Sequence, residues 1–423
     1  MPLGRAHVLA SSIIRDARRA GLAVDSLTPV GSLRRFAPDV GDVALLGIVP
    51  GATHPGVLRA FTRLPAVLSA GSERDRRITI QTARGTVTLH LAAPEDAGAA
   101  LVWHTGARAH TDRLITHAAD AGLQFMDGTL RDGSGSRLPC PTEAEFYRRL
   151  TLPFIAPELR NGTDEVDAAA AGRLPALVEE RDIRGDLHTH SAWSDGRNTT
   201  ADMVSAAKQL GYDYVAITDH SESAWSSRKL ARADVPRQRK EIEALRGTVT
   251  GIEILHGIEV DIMPDGSLDF DDDLLCGFDI VLASLHDSGG HNGRRLTDRY
   301  LQTMDNSLVN IITHPANRSP GQSPGYALDF DRLLAAAVAT GTALEIDGAP
   351  GHLDLDGDLA RQAVAAGVTL VIDSDCHQIE SLARQMQFGV GTARRGWVEP
   401  RHVLNTRTAA DVRGFVARKR SRA

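Results

Sequence analysis

The stretch GDLHTHSAWSDG, residues 185–196, places two histidines two positions apart at the end of an apolar segment, with an aspartate five residues after the second. On a β-strand, residues at i and i+2 point to the same face, so His188 and His190 can bind one metal ion or two neighbouring ions. Asp195 follows closely enough to add a carboxylate to the same site. An HxH pair also occurs by chance, and its meaning depends on the rest of the chain.

Strand-like segments of similar character recur from residue 185 to the C-terminus. After GDLHTH come YDYVAITDH, ILHGIEVDI, FDIVLASLH, VNIITHP, ALEIDG and VTLVIDSDCH. Helix-like segments such as ADMVSAAKQLG and DRLLAAAVATG separate them, and about seven alternations of strand and helix predict a parallel α/β sheet or barrel. Because the C-terminal ends of barrel strands meet on one face, we expect the polar residues that end these strands to converge there.

Nine histidines and carboxylates lie at or close after the predicted strand ends. They are His188, His190, Asp195, His220, Glu259, His286, His314, Asp375 and His377. Neutral imidazoles mixed with carboxylates, without a thiolate at matching spacing, favour zinc, manganese or iron. Nine ligands exceed the needs of one tetrahedral ion, so we expect two or three divalent ions with Glu259 as a bridging carboxylate. Closely spaced ions are suited to in-line displacement at phosphorus, which predicts phosphoester hydrolysis.

The motifs DLHTHSAWSDG, ITDHS, GIEVDI, SLHD, THPANR and DSDCH resemble those of the PHP family, the polymerase and histidinol phosphatase phosphoesterases. The resemblance covers residues 185–423 and implies a distorted (β/α)7 barrel with a trinuclear metal site. It implies that His188, His190, Glu259 and Asp375 hold one ion, that Glu259, His286 and His314 hold a second, and that Asp195, His220 and His377 hold the third.

Other barrel residues have two interpretations each. We assign catalytic roles to Glu259 and Asp375, and Arg318 in HPANR either binds a substrate phosphate as a third catalytic residue or is a solvated loop arginine. Asp219 either orients a metal ligand or caps the next helix. Glu345 and Asp347 lie at a strand end, although EIDG is equally consistent with a turn.

The N-terminal part of the chain has a different, α+β pattern. Its segment GSLRRFAPDVGDVALL resembles the nucleotidyltransferase palm of family X DNA polymerases, especially the bacterial type with a C-terminal PHP domain. Further segments match in the same order: WHTGARAHTDRL, GLQF, TEAEFYRRLTLPFIAPELR and DIRGDLHTH. The palm motif is matched at Gly31, Ser32, Arg34, Arg35, Gly41 and Asp42.

The palm-like segment lacks two of the three carboxylates that polymerase chemistry uses to hold Mg²⁺. Ala44 replaces the second aspartate of the motif, and Thr88 stands where the third is expected. We therefore expect a smaller, degenerate palm-like domain over residues 1–150, a linker over 151–184 and a PHP metallophosphoesterase domain over 185–423. Polymerase activity is not expected.

Composition narrows the function classes further. The net charge of -7 argues against nonspecific wrapping of nucleic acid. The three cysteines are far apart and form no CxxC motif, and no segment has the length and apolarity of a membrane span. We expect a cytoplasmic, metal-dependent phosphoesterase without a membrane partner.

The substrate class has three interpretations. DNA ends are favoured, through 3′–5′ exonuclease or 3′-end-processing activity, because the resemblance extends into the polymerase-like part. A phosphorylated small molecule, as for histidinol phosphatase, is the alternative within the enzyme class. The third interpretation is a nonenzymatic, DNA-associated binding module. The sequence predicts no oligomeric state.

Overall fold

The computed structural model describes residues 1–74, 76–224 and 226–422, and it divides the chain into two compact units, Met1–Pro175 and Ala176–Ala423. The segment 151–184, which we expect to form a linker, contains an α-helix and the buried charged residues Arg160 and Glu165. Arg160 pairs with Glu143 and Glu165 pairs with His110. These pairs compensate the burial of the charges and hold the first half of the segment in the first unit.

The first unit contains a five-stranded mixed sheet, a small two-stranded sheet and seven α-helices among its described residues. The five-stranded sheet has the order β1-β2-β5-β4-β3. The strands are β1 (Ser26–Val30), β2 (Val43–Ile48), β3 (Ser69–Ala70), β4 (Arg77–Thr82), β5 (Gly85–Ala92), β6 (Gln124–Met126) and β7 (Thr129–Arg131). The helices are α1 (Leu3–Arg19), α2 (Gly31–Arg34), α3 (His54–Phe61), α4 (Ala97–Thr105), α5 (Arg108–Asp120), α6 (Glu143–Arg149) and α7 (Glu165–Ala170).

The second unit contains a sheet of seven parallel strands in the order β14-β13-β12-β11-β10-β9-β8. The strands are β8 (Gly185–Asp186), β9 (Tyr214–Ile217), β10 (Glu253–Asp261), β11 (Ile280–Ser284), β12 (Ile311–Ile312), β13 (Ala343–Asp347) and β14 (Leu370–Asp373). The helices are α8 (Thr200–Gln209), α9 (Val235–Thr248), α10 (Asp272–Leu275), α11 (Gly293–Asp305), α12 (Phe330–Thr340), α13 (Gly357–Ala366), α14 (Leu382–Arg395) and α15 (Ala409–Arg420).

The first and last strands of this sheet meet beyond their regular ends. Thr189 and Cys376 form a parallel bridge, and the backbone N–H of His190 donates a hydrogen bond to the carbonyl of Cys376 at 2.9 Å. The sheet therefore closes into a barrel. The predicted fold class, a distorted (β/α)7 barrel preceded by a smaller α+β domain, is confirmed.

Local sequence explains why these elements form. Strands β9, β11, β13 and β14 are buried along their whole length, as expected for parallel strands that are covered on both faces. Helix α8 begins with a capping box between Thr199 and Asp202. Helix α12 ends at Gly341, whose φ of 71° is a left-handed conformation that glycine adopts without steric cost. These signals place each helix between two strands and fix the strand ends.

The described part of the chain contains no helix that is both long enough and apolar enough to span a bilayer.

Candidate metal centre of the barrel

Glu259 is the point on which the predicted ligands converge. It lies near the end of β10 with no solvent exposure. A nitrogen atom from each of five histidines approaches its carboxylate. The distances to Glu259 Oε2 are 2.6 Å from His220 Nδ1, 3.5 Å from His188 Nε2 and 3.7 Å from His190 Nε2, and those to Oε1 are 3.2 Å from His314 Nε2 and 3.6 Å from His286 Nε2. Glu259 lies on β10, and the five histidines lie after four other strands, β8, β9, β11 and β12.

The remaining predicted ligands lie on the other side of the histidine cluster. Asp195 Oδ1 is 3.2 Å from His377 Nε2 and 3.6 Å from His220 Nε2. Asp375 Oδ1 is 3.0 Å from His190 Nε2 and 3.6 Å from His188 Nε2. The structure thus brings together all nine residues that the strand-end pattern selected.

Potential ligand atoms form four groups, each within 4.8 Å. The groups are His190, Asp195, His220 and His377; His188, His190 and Asp375; His220, Glu259 and His286; and Asp347, His352 and Asp375. The grouping differs from the one implied by the family resemblance. His190 also joins the Asp195 group, Glu259 is separate from the His188 group, and His220 takes the place of His314 beside Glu259 and His286. The fourth group is not implied by the resemblance. His220 can do so because its two ring nitrogens face different carboxylates.

The chemistry of the donor atoms fits divalent cations. Glu259 Oε2 and Asp195 Oδ1 are buried, and no described residue offers either of them a hydrogen-bond donor in suitable geometry. A buried carboxylate oxygen without a partner is costly, and a cation at this position would satisfy it. Imidazole nitrogens and carboxylate oxygens without a thiolate suit zinc, manganese or iron.

Electrostatics inside the cluster show strong coupling between histidines and carboxylates. Burial raises the pKa of the Glu259 carboxyl, but His220, His188 and His286 outweigh it and hold that pKa well below its usual range. Burial lowers the pKa of His190 to about 3, with a further contribution from His377 and His220. His190 is therefore neutral, the state in which imidazole binds a metal.

The pKa values of four other histidines of the cluster, His188, His220, His314 and His377, are shifted upward instead. Burial lowers the pKa of His314, but Glu259 reverses this and raises it to about 9. For His377 burial also acts downward, while Asp375 and Asp195 raise the pKa to about 9. Without metal ions these side chains carry the protons that neutralise the carboxylates, and metal binding must displace those protons.

A further set of side chains orients the candidate ligands. Glu345 Oε1 accepts a hydrogen bond from His188 Nδ1 at 2.7 Å, and Asp261 Oδ1 accepts one from His286 Nδ1 at 3.0 Å. The backbone carbonyl of Asp375 accepts one from His377 Nδ1 at 3.0 Å. Each of these bonds leaves the other ring nitrogen facing the cluster, an arrangement typical of metal-ligating histidines.

Asp219 organises the loop that carries His190 and Asp195. Its buried carboxylate accepts hydrogen bonds from the backbone N–H and the hydroxyl of Ser191 and Ser194, at 2.6 to 3.1 Å, and from Gln238 Nε2 at 2.7 Å. It does not cap the next α-helix, α9, whose N-cap residue is Asp234. Of the two interpretations of Asp219, the orienting one agrees with these contacts.

The backbone is strained at two of the candidate ligands. His314 has a φ of 25° and Asp375 a φ of 49°, values that are uncommon outside glycine. Such conformations are maintained only where surrounding contacts determine them, and they cluster at functional sites. Both residues follow directly on short parallel strands, so the strain turns their side chains into the barrel mouth.

Arg318 lies near the site but has a protein partner. Its Nη1 donates to Asp356 Oδ2 at 2.9 Å, and 13% of its side chain is exposed. Its Nε atom is buried and has no hydrogen-bond partner among the described residues. The ion pair with Asp356 therefore fixes the Arg318 side chain, which still has N–H groups that could donate to a ligand. It is not a freely solvated arginine.

The strand-end pattern did not select Asp347 as a ligand, and it gave no reason to select His352. The ring of His352 stacks on that of His314 with centroids 4.8 Å apart, and His352 groups with Asp347 and Asp375 as potential metal ligands. Asp347 Oδ2 and His352 Nδ1 are buried without a hydrogen-bond partner. Asp347 could have been found from its position two residues after Glu345 on one strand face, whereas His352 lies on a loop without a periodic signal.

The polymerase-like residues of the first unit lie together, as their alignment suggests. Ala44 on β2 is directly opposite Thr88 on β5 in the parallel register, and Thr88 Oγ1 donates to Asp42 Oδ2 at 3.3 Å. The two arginines of GSLRR make protein contacts. Arg34 binds both carboxylate oxygens of Glu143, at 2.6 and 2.8 Å, and Arg35 Nη1 donates to the carbonyl of Thr105 at 2.5 Å.

Comparison with known families agrees with this geometry. Residues 186–343 match the PHP domain, and residues 100–161 match the DNA polymerase beta thumb. The thumb match shows that the expected palm-like domain over 1–150 contains a second polymerase-like part, which continues into the segment expected to be a linker.

Three relatives show how the similarity is distributed. The chain is 37% identical over 393 residues to DNA polymerase/3'-5' exonuclease PolX of Bacillus subtilis, covering 92% of this chain and 68% of the relative. It is 34% identical over 209 residues to a probable phosphatase of Shewanella oneidensis, covering 47% of this chain and 77% of the relative. A probable phosphatase of Syntrophotalea carbinolica is 30% identical over 232 residues, covering 52% of this chain and 90% of the relative.

The similarity to PolX spans both units of the chain, the PHP match lies on the barrel that gathers histidines around Glu259, and the thumb match lies in the first unit. The chain therefore belongs to the bacterial PolX family of family X polymerase relatives with a PHP domain, and it is a metal-dependent phosphoester hydrolase.

Proposed function

We propose that the barrel removes nucleotides from DNA 3′ ends, as a 3′–5′ exonuclease or 3′-end-processing enzyme, and that the first unit has no polymerase activity. The observation that carries the proposal is the approach of five histidines to the buried carboxylate of Glu259, in a chain whose similarity to a polymerase/exonuclease covers both units. The substrate, the polarity and the absence of polymerase activity go beyond the family assignment.

The nine residues of the strand-end set would hold two or three divalent ions. Asp195, Glu259 and Asp375 are the carboxylates, and each lies within 3.7 Å of at least two imidazole nitrogens. Bound ions would supply Lewis-acid polarisation of the phosphoryl oxygens and neutralise the negative charge that develops during displacement. Glu259 is central enough to contact more than one ion, and we assign it the bridging role.

The residues around the ligands would serve the reaction by positioning. Glu345 and Asp261 fix the rings of His188 and His286 through their Nδ1 atoms. Arg318 would contribute a catalytic contact to a phosphate oxygen through the donor atoms that its pairing with Asp356 leaves free.

The proposed lack of polymerase activity rests on three features of the first unit. Asp42 is the one carboxylate at the three palm positions, because Ala44 and Thr88 occupy the others. Among the described residues of this unit, no three histidine, cysteine or carboxylate side chains lie close enough together to hold a metal ion. Arg34 is committed to Glu143, so it is not available to a triphosphate.

The experiment that tests the exonuclease proposal uses a single-stranded oligonucleotide labelled at its 5′ end, incubated with the full chain and Mn²⁺ or Zn²⁺. We expect a ladder of shortened products that is lost in Glu259→Gln. Glu253→Gln is the matched control, since Glu253 begins the same strand and pairs with Arg413 away from the ligands. A duplicate with the label at the 3′ end distinguishes release of mononucleotides from internal cleavage. Equal activity of Glu259→Gln and the native chain would refute the proposed site.

A small-molecule phosphatase is the second candidate. It is supported by the two probable phosphatases, whose matches span 47% and 52% of this chain. Hydrolysis of histidinol phosphate or p-nitrophenyl phosphate without trimming of any oligonucleotide would favour this function. Incorporation of a labelled nucleotide on a primed template would overturn the proposed loss of polymerase activity.

A further inference from the structure

The first unit contains a cavity that the hydrolase function does not use. Its volume is about 300 Å³, which is at the lower end of the range of small-molecule sites. It lies between the start of β4, the end of β5, helix α4 and the β6–β7 turn. The lining residues are Arg74, Arg76, Arg77, His90, Leu91, Ala92, Ala100, Trp103, His104 and Asp127.

The charge of this cavity is positive although the chain is acidic overall. Arg74 and Arg77 make no side-chain hydrogen bond or ion pair with any residue that the structure describes. To the residues that the structure describes, the Arg76 side chain donates one long hydrogen bond, 3.4 Å, to the backbone carbonyl of Asp127. Among the lining residues that the structure describes, Asp127 alone has a carboxylate, and it is exposed. Three guanidinium groups therefore face the cavity with unused donors, which is the chemistry that binds phosphate.

Two histidines and a tryptophan form the wall beside the arginines. The rings of His90 and His104 have centroids 4.0 Å apart. Burial, followed by Arg77, lowers the pKa of His90 to about 4, and burial, followed by His90, lowers that of His104 to about 3. Both rings are thus neutral, and a ligand would meet them as hydrogen-bonding groups. Trp103 is half-buried and packs edge-on against Phe125 with centroids 5.1 Å apart.

The cavity adjoins the positions that the polymerase motif would fill with carboxylates. His90 lies two residues after Thr88 on β5, so the two side chains share one face of the strand. Where a family X polymerase needs three carboxylates and Mg²⁺ to approach a phosphate, this face has one aspartate, a threonine, an alanine and, at its edge, arginines. The local charge is inverted, and a phosphate can bind here without a bridging cation.

We propose that this arginine–histidine cavity binds a nucleotide phosphate of single-stranded DNA directly, without a metal ion, and that it anchors the strand in the first unit. The inference rests on the proposed function in taking DNA as the substrate class. The arginines would bind the phosphate oxygens, and the half-buried face of Trp103 would contact a neighbouring base. The cavity volume of about 300 Å³ suits one nucleotide.

The test is fluorescence anisotropy of a labelled oligo(dT) with the full chain in excess EDTA, which removes metal from the barrel. We expect binding to persist in EDTA. The triple variant Arg74→Gln, Arg76→Gln, Arg77→Gln should weaken it by roughly tenfold or more and flatten the slope of log affinity against log salt by about 0.7 for each lost phosphate contact. Trp103→Ala should weaken binding independently.

The matched control is Arg15→Gln, Arg18→Gln, Arg19→Gln, which removes the same charge from exposed positions on helix α1. It should leave the affinity within about twofold. If both triple variants lose affinity equally, or if the cavity variant binds as the native chain does, the proposal is wrong.

A second readout separates this inference from the proposed barrel function. Hydrolysis of bis-p-nitrophenyl phosphate with Mn²⁺ should be unchanged in the cavity variant and lost in Glu259→Gln. Loss of hydrolysis in the cavity variant would mean that the substitutions disturb the whole fold and would count against the cavity. An inactive barrel with intact, arginine-dependent binding in EDTA would refute the proposed function and leave the cavity assignment standing.

Discussion

Glu345 connects two candidate ligands that lie far apart in sequence: its Oε1 accepts a hydrogen bond from His188 Nδ1 at 2.7 Å, and its Oε2 accepts one from the backbone N–H of His314 at 2.8 Å. Both bonds are fully buried. The carboxylate therefore sets the tautomer of one histidine and the backbone position of the other. Because both of its oxygens accept these hydrogen bonds, we assign Glu345 the role of positioning the ligands.

We expect Glu345→Gln to weaken metal binding by about tenfold to a hundredfold, the usual cost of losing such an orienting partner. The amide nitrogen of glutamine would face either His188 Nδ1 or the backbone N–H of His314, and both of these groups are themselves donors. Metal content after dialysis at a fixed free Zn²⁺ concentration checks this. Glu380→Gln is the control, because Glu380 is exposed. Unchanged metal content in Glu345→Gln would contradict the positioning role.

Metal affinity should increase with pH. His314 and His377 have pKa values raised to about 9 in the metal-free barrel, so both are protonated at neutral pH and both protons must leave when ions bind. Affinity should therefore rise as pH increases towards about 9, by about tenfold per pH unit for each proton that the ions displace. Competition with a chromophoric chelator at several pH values measures the slope. A metal affinity that does not change with pH would contradict this prediction.

Asp219→Ala should destabilise the barrel by about 3 kcal/mol or more, because five donors from Ser191, Ser194 and Gln238 would lose a buried acceptor. The measurement is denaturant unfolding of the full chain, followed by a signal assigned to the barrel. Asp202→Ala, which removes an exposed helix-capping side chain, should cost only about 1 kcal/mol. Equal losses in the two variants would refute the role of Asp219 as the organiser of its loop.

His352→Ala should lower hydrolysis by about tenfold to a hundredfold while the protein keeps its metal. The stacked ring of His352 supports His314, and its loss would let that ligand shift without removing a member of the strand-end set. Parallel measurements of kcat, KM and bound metal distinguish this outcome from loss of an ion. Loss of one equivalent of metal would instead identify His352 as a ligand with Asp347 and Asp375.

Restoring the palm carboxylates should not restore polymerase activity. The double variant Ala44→Asp, Thr88→Asp would add two carboxylates beside Asp42, three in all, and we expect it to bind Mg²⁺ more tightly than the native chain. Arg34 would still be held by Glu143. Nucleotide incorporation on a primed template is the measurement, and incorporation by the double variant would show that the arginine contact is no obstacle.

The barrel could be predicted from the sequence because its signals are local. Each ligand follows a short apolar strand, and parallel strands place their C-terminal ends together. Glu345 and Asp219, which orient ligands or the loop that carries them, also lie at predicted strand ends, but their contacts in the fold were needed to choose between their two interpretations. Asp261 has a period-two relationship to Glu259 that could have selected it, whereas His352 reaches the site through a loop whose course depends on tertiary packing.

The first unit was less predictable for a different reason. Its polymerase motif has lost the carboxylates that make such a motif recognisable, and the thumb match at 100–161 was included in one palm-like domain. The cationic cavity depends on residues from two strands, a helix and a turn. No spacing in the sequence relates Arg74 to His104, because only the folded sheet brings them together.

The bridge between Thr189 and Cys376 has a consequence for how this barrel can change through evolution. His190 and His377 stand on opposite sides of that seam with stacked rings 4.1 Å apart, so a single group of ligands draws on both ends of the barrel sequence. Insertions can be accommodated in the loops between strands. Deletion of either terminal strand would open the barrel and would also remove ligands from the site. The site therefore needs both the first and the last strand of the (β/α)7 unit.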